Sequence, residues 1–395
     1  LRRRWLLAAL IWLLVWLVAC FLLPARWPYA ERWLLLSGLT LAFMLAALWR
    51  KLPLNKSVST GELETTFGPG NALSLARALA IGLLAGFLFL PWPEGALAWV
   101  VAGLYTGASI ADGFDGYLAR RSGRVTELGQ WLDIELDGLG IIIVSLLGIG
   151  YGQLPLWFLS VGLARYFFVA GLWWRERQGK PIYDMPPSTH RRILAGMMMG
   201  MLTVVLWPIL PAPMAQIAAG VIGVPVLLGF LRDWLFVSGR LNSEDESYLR
   251  VQRFLYTLFA RGLPLLWRVV LPLSMLVVLQ AAESWVQPEA WVGLLASWGL
   301  PGAAALATLA AITAVLGTLL AVLGIAGRLA VIPLFFPIGF DISTRGLTWA
   351  NGLALVAALS IALFGTGPYT LWRPEEALLS PRGGASEPPP AQQPS

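Results

Sequence analysis

Residues 111–138 read ADGFDGYLARRSGRVTELGQWLDIELDG, and they set Asp112, Asp115, Asp133 and Asp137 beside two long apolar runs. Asp112 and Asp115 are three positions apart at the end of the first run; Asp133 and Asp137 are four apart at the start of the second. Both spacings put the two carboxylates on one face of an α-helix. Two such runs joined by a short loop predict adjacent antiparallel helices, with the four carboxylates converging in a pocket between them.

The rest of the chain makes those runs membrane spans. Of its 395 residues, 57% are hydrophobic and 13% charged, against about 25% charged in a soluble protein. The mean hydropathy is +0.70. Apolar runs of about 20 residues recur from end to end, each long enough to cross a bilayer. The fold class is therefore all-α, a polytopic helical membrane protein. A porin-type barrel would show short alternating segments instead.

The net charge of +6 does not imply nucleic acid, because the arginines sit in short loops between apolar runs, where topology and anionic lipid account for them. The single Cys20 excludes an internal disulfide. The opening LRRRWLLAALIWLLVWLVAC has a basic start and a lipobox-like LVAC, the marks of a cleaved lipoprotein signal. The apolar run continues past Cys20 through FLLP, however, and a second follows at once, so the segment reads as a transmembrane helix.

Apolar runs and turn clusters divide the chain into blocks. A two-helix extension over 1–50 has spans near Trp5 to Leu23 and Trp33 to Trp49. A six-helix core over 51–239 has spans near Ala72 to Leu90, Ala96 to Ala119, Gln130 to Gly150, Leu156 to Trp174, Ile193 to Leu210 and Met214 to Leu231. A charged cytoplasmic connector over 240–262 precedes a four-helix module over 263–368. Its spans lie near Pro264 to Gln280, Leu300 to Leu323, Leu329 to Phe340 and Asn351 to Thr366. The tail over 369–395, ending SPRGGASEPPPAQQPS, is expected to be disordered. About 12 spans put both termini on one side. With LRRR cytoplasmic, Arg50, Lys51, Lys56, Arg120, Arg121, Arg124, Arg175, Arg177, Lys180, Arg191, Arg192 and Arg328 are cytoplasmic too, leaving Arg26, Arg32 and Arg345 outside. The expected site is a bacterial-type inner membrane, with the aspartates near its cytoplasmic face.

Four bare carboxylates in that setting are costly, since one Asp at the centre of a membrane helix costs about 3 kcal/mol on insertion scales. Divalent cations remove the cost. Hard Mg²⁺ or Mn²⁺ suits carboxylate oxygens, and no Cys or His stands nearby to favour Zn²⁺. Two such ions about 4 Å apart form the clamp used for in-line displacement at phosphorus. Gly113, Gly116, Ala119 and Gly129 leave the helix surface bare, so that a ligand or a neighbouring helix can approach. Arg120 offers a fixed positive charge for a phosphate.

The pattern Asp112-x2-Asp115-Gly116-x2-Ala119-Arg120-x8-Gly129-x3-Asp133-x3-Asp137 resembles the signature of the CDP-alcohol phosphotransferases at every motif position. The resemblance covers about residues 70–231, with the motif on the second and third of six helices. It implies two metal ions held by Asp112, Asp115, Asp133 and Asp137 on the pyrophosphate of a CDP-linked donor such as CDP-diacylglycerol. It also implies Asp137 as general base on an acceptor hydroxyl, attack on the β-phosphorus, and release of CMP. Upstream, GNALSLAR (70–77) resembles the family's Pro-Asn-x-x-Thr-x-x-Arg entry, with Gly70 for Pro and Ser74 for Thr. Asn71 and Arg77 then join Asp112, Asp115, Gly116, Ala119, Arg120 and Gly129 around the donor nucleotide. A homodimer is expected.

For the acceptor, Arg165 lies within a span, in VGLARYFFVAG, and must find an anionic partner. That partner is either an acceptor phosphate or one of the aspartates. STHRRILAG brings His190, Arg191 and Arg192 to the start of the next span. Arg191 and Arg192 either join Arg165 in binding acceptor phosphate or anchor topology, and His190 reads as a loop residue. A basic pocket favours a phosphorylated polyol, glycerol 3-phosphate or inositol phosphate, over serine or a neutral alcohol.

Beyond residue 263 no acid cluster is expected, with Glu283, Glu289, Asp341 and Arg345 in outer loops. The segments GIAGRLAVIPLFF (324–336) and NGLALVAALSIALFGTGPYTLWRPEEALL (351–379) resemble DoxX-like membrane proteins. Twelve spans also suit a transporter, but no inverted repeat is evident, and transporter sites lie near the bilayer midplane. A non-enzymatic scaffold would carry the carboxylate cluster at a cost for no return.

Overall fold

Apolar segments in lipid must satisfy their own backbone hydrogen bonds, which a helix does alone. The computed structural model describes residues 1–23, 27–185, 189–242, 245–282, 288–372 and 374, with the side chains of residues 189, 190 and 192 excepted. The described residues are helical and contain no strand, only three isolated bridges. Arg26, Glu244, Glu283 and the Pro-rich tail beyond residue 374 lie outside the described residues. The chain divides into two compact units, Leu1–Asp245 and Glu246–Ser395.

In the first unit, α1 (Arg2–Leu22) runs unbroken through Cys20 and packs on α2 (Ala30–Lys51). Trp5 Nε1 donates to the Leu45 carbonyl at 3.0 Å, its ring lies 4.9 Å from that of Trp49, and Trp16 Nε1 donates to Ser37 Oγ at 3.1 Å. The polar stretch that follows folds back tightly. Asn55, fully buried, donates through Nδ2 to the carbonyls of Glu64 (2.9 Å) and Thr66 (3.1 Å). Val58 N–H donates to the Val125 carbonyl at 2.9 Å, and Glu127 N–H to that of Lys56 at 3.0 Å.

Helix α3 (Pro69–Ala85) starts with Pro at its first position, where the missing N–H costs nothing. Next come α4 (Ala96–Arg121) and α5 (Glu127–Gly150). Gly123, at φ +66°, takes the left-handed turn between them, and Thr126 caps α5 by accepting from Gly129 N–H at 3.1 Å. α4 and α5 touch each other only briefly; both pack mainly on α3. The aspartates therefore converge across α3 rather than in a direct α4–α5 interface. Gly70 is the reason α3 comes so near: a Cβ there would lie 2.8 Å from both the Ala119 Cβ and the Asp115 carbonyl. α6 (Leu159–Arg177), α7 (Thr189–Val205) and α8 (Ala212–Ala218), which continues through a π-turn into α9 (Val224–Val237), complete six helical runs from α3 onward.

In the second unit, α10 (Glu246–Thr257) leads through a π-segment into α11 (Leu263–Ala281), followed by the short α12 (Glu289–Ser297) and α13 (Ala303–Leu323). The one-turn α14 (Gly327–Ala330), α15 (Phe335–Arg345) and α16 (Trp349–Phe364) complete it. Arginines close its helix ends: Arg268 donates to the carbonyls of Val322 and Pro368, and Arg328 to those of Ala362 and Leu363. Asp341 and Arg345 are not loop residues. α15 runs past the expected end of its span, and Asp341 is wholly buried, held by Arg345 at 2.5 Å and by Asn351 Nδ2 at 2.9 Å.

Among the described residues, eight helices are long and apolar enough to cross a membrane, which makes this an integral membrane protein; the expected count of about twelve is not confirmed. α3, α7 and α16 are apolar but only 17, 17 and 16 residues long, about 25 Å at 1.5 Å per residue against a core of about 30 Å. α5 has the length but carries Glu127, Asp133, Glu135 and Asp137.

Gly70→Ala should force α3 from α4 and lower the thermal midpoint in detergent, at a cost of about 1–3 kcal/mol for overpacking. Gly103→Ala, whose Cβ meets nothing within 4 Å, should leave the midpoint unchanged or raise it.

Candidate active site

One side chain organises the aspartates. Arg77, on α3, is 2% exposed. Its Nη1 lies 2.5 Å from Asp112 Oδ1, 3.0 Å from Asp115 Oδ2 and 3.5 Å from Asp133 Oδ1, and its Nη2 lies 2.6 Å from Asp137 Oδ1. A planar fork of donors suits this task as a point charge does not. The four carboxylates differ in access. Asp115 is 8% exposed at its side chain and also accepts from Ser74 Oγ at 2.9 Å, whereas Asp133 is 53% exposed.

The open side faces a cavity of about 540 Å³. Its walls include all four aspartates with Gly113, Gly116, Ala119, Arg120 and Gly129. No atom lies within 4 Å of where a Gly113 Cβ would sit, so the backbone is bare toward the cavity; Gly129 instead makes room for Asn71, whose Oδ1 a Cβ would meet at 2.6 Å. The exposed Arg120 lies over Gly116 at the cavity wall.

Asn71 lines the cavity, but its amide is committed to the scaffold: Nδ2 donates to Asn55 Oδ1 at 3.0 Å and to Thr126 Oγ1 at 2.9 Å. One buried asparagine thus ties the 52–68 segment, α3 and the cap of α5 together.

Of the expected acceptor residues, neither Arg165 nor Arg191 lines this cavity. Arg165 Nη1 donates to the Ile134 carbonyl on α5 at 2.7 Å, and among the described residues it makes no ion pair with an aspartate. Arg191 pairs with Asp233 on α9 at 3.3 Å. The side chains of His190 and Arg192 lie outside the described residues.

Asn55, Thr126, Gln130 and Asp233 went unnoticed in the sequence. Thr126 alone carried a local signal, as a hydroxyl residue at a helix start; Asn55 and Asp233 matter through partners distant in the chain, and Gln130 lines the cavity.

The donor set fits a divalent cation. Asp112, Asp133 and Asp137 each offer an oxygen, all within 4.8 Å of one another, and these are the hard ligands that Mg²⁺ and Mn²⁺ take. Four carboxylates against one guanidinium also leave negative charge unbalanced, which a partly buried site tolerates poorly.

The segment that holds this site is similar in sequence to known proteins. The sequence profile described as CDP-alcohol phosphatidyltransferase matches residues 69–231. The chain is 32% identical over 108 residues to a CDP-diacylglycerol–glycerol-3-phosphate 3-phosphatidyltransferase of Cereibacter sphaeroides, covering 26% of this chain and 47% of that one. Proteins of the same description match from Rickettsia bellii (34% over 122 residues; 30% and 64% covered) and Bacillus subtilis (30% over 116 residues; 27% and 60%). The chain thus spans less than two thirds of each relative's length. No solved structure matches it significantly. Residues 69–231 of this chain are a domain of the CDP-alcohol phosphatidyltransferase family.

Proposed function

We propose that this domain transfers the phosphatidyl group of a CDP-diacylglycerol-type donor to the hydroxyl of a small polar acceptor, a phosphorylated polyol such as glycerol 3-phosphate, with release of CMP. The observation that carries the reading is the convergence of four carboxylates from α4 and α5 on one open cavity within the matched segment. The similar proteins are named as glycerol-3-phosphate 3-phosphatidyltransferases, which supports glycerol 3-phosphate in particular.

Asp137 is the base. Arg77 fixes its Oδ1 at 2.6 Å, so Oδ2 is left to take the acceptor's proton. The acceptor oxygen forms its bond to the β-phosphorus while the bond from that phosphorus to the CMP oxygen breaks, and CMP leaves with the electron pair. Asp112, Asp115, Asp133 and Asp137 would hold two Mg²⁺ or Mn²⁺ ions, which when bound supply charge neutralisation at the donor's pyrophosphate. The bare face at Gly113 admits the phosphates to the backbone, and Arg120 offers them a cation at the rim. Arg165, with Arg191 exchanging Asp233 for substrate and Arg192 beside it, would receive the acceptor phosphate. Lys51 ends α2, and Arg120 and Arg121 end α4, the helix that carries Asp112 and Asp115, which supports an orientation of that end toward the cytoplasm of a bacterial-type inner membrane. The flanking helices and a homodimer are expected to support the domain rather than supply its chemistry.

Purified protein given CDP-diacylglycerol, Mg²⁺ and glycerol 3-phosphate should release CMP, and EDTA should stop it. Asp112→Asn, Asp115→Asn and Asp133→Asn should each lower the rate a thousandfold or more, about 4 kcal/mol of barrier. Normal release by any of them would remove the assignment.

Asp137→Asn should lose most of kcat yet keep donor affinity within about tenfold, or ~1.4 kcal/mol. Donor binding as weak as in Asp112→Asn would make Asp137 chiefly a ligand.

Arg165→Lys keeps charge but loses the two-pronged geometry, so acceptor KM should rise well above any change in donor KM. An unchanged acceptor KM, or faster reaction with serine or a neutral alcohol, would make Arg165 a helix tie to the Ile134 carbonyl and nothing more.

A further inference from the structure

The helix that opens the second unit is too long for the membrane it enters. Glu246–Ala281 is one helical run of 36 residues, about 54 Å at 1.5 Å per residue. A hydrocarbon core of about 30 Å accommodates some 20 of them, so roughly sixteen residues, α10 and the π-segment, lie beyond it. Those residues are not polar all round. None of α10 is buried; Leu249, Val251, Phe254, Leu255 and Tyr256 are between 39 and 65% exposed.

The charged residues and Thr257 follow a helical stripe, Glu246, Arg250, Arg253, Thr257 and Arg261 recurring at intervals of three or four, while Ser247 and Gln252 fall off it. An upright α10 would hold five large apolar side chains in water. Laid along the headgroup layer, the same helix buries them and gives Arg250 and Arg253, with Arg261 in the π-segment just beyond, anionic partners. The means of bending is at hand. Between α10 and α11 the helix widens into a π-segment, Leu258–Gly262, which is followed by Pro264, a residue with no N–H to continue the ladder.

We propose that α10 is an interfacial helix that binds anionic phospholipid headgroups through Arg250, Arg253 and Arg261, with its apolar side inserted beneath them. The proposal needs only that α11 spans the membrane, and does not depend on the transferase reading.

The test uses the full chain in nanodiscs, carrying Cys20→Ser and a nitroxide at Phe254→Cys, with Val251→Cys as the second site and Thr257→Cys as the polar-face control. Accessibility is read by collision with oxygen and with a water-soluble nickel chelate. With about 30 mol% phosphatidylglycerol in phosphatidylcholine, the label at 254 or 251 should be shielded from nickel about threefold or more relative to phosphatidylcholine alone, while the label at 257 stays accessible. The combined Arg250→Gln, Arg253→Gln and Arg261→Gln variant, or Arg253→Gln alone if the triple does not assemble, should weaken that shielding. Equal shielding in both lipids, or shielding unaffected by the arginine changes, would overturn the proposal. So would a label shielded from oxygen as well as from nickel, which would mean that protein rather than lipid covers this face.

Discussion

The structure depends on the contact between one guanidinium and four carboxylates. Arg77 cannot be buried at 2% exposure without anions, and four carboxylates cannot gather without a cation. Removing one partner from such a cluster leaves charge uncompensated in a poor solvent, which costs far more than a surface ion pair is worth. The backbone is arranged to make the contact possible. Pro69 starts α3 at the right place, Gly70 lets it close on Ala119, and Asn71 joins it to Asn55 and Thr126. Each of these devices acts within one turn or two of Arg77.

The same geometry separates roles among chemically identical side chains. Asp115 faces inward, held by Ser74 and Arg77, while Asp112, Asp133 and Asp137 turn oxygens toward one another at the cavity. The exposure gradient from Asp115 to Asp133 runs from scaffold to open cavity. α5 pays for this with charge that makes it unlike an ordinary span, and α3 with length; the site occupies the part of the domain least suited to plain lipid contact.

What was legible in the sequence was local. The spacing of the aspartates, the apolar runs and the family motif each lie within one short continuous stretch of chain, the motif within 112–137. Arg77 lies 38 residues from Asp115 and 60 from Asp137, and only packing reveals that it touches all four carboxylates; the motif placed it near the nucleotide and no closer. The direct α4–α5 pairing was inferred from chain order, which said nothing of α3 closing through Gly70. The expectation of about twelve spans rests on apolarity, which says nothing of length, and α3, α7 and α16 are apolar but short. Apolarity ends the span at Phe340 and leaves Asp341 in a loop, whereas α15 runs on to Arg345, which neutralises Asp341, and Asn351 of α16 donates a hydrogen bond to it. Asp233 likewise gave no sign that it would engage Arg191.

The central claim is that these carboxylates form a divalent-ion site with charge to spare beyond Arg77. Manganese titration of the purified chain followed by electron paramagnetic resonance tests it most directly, without substrate and without turnover. The account predicts that the six-line signal of aqueous Mn²⁺ stays suppressed until two ions per chain are bound, and that Asp133→Asn binds fewer. An aqueous signal that grows in proportion from the first addition, in the wild type as in the variant, would contradict it.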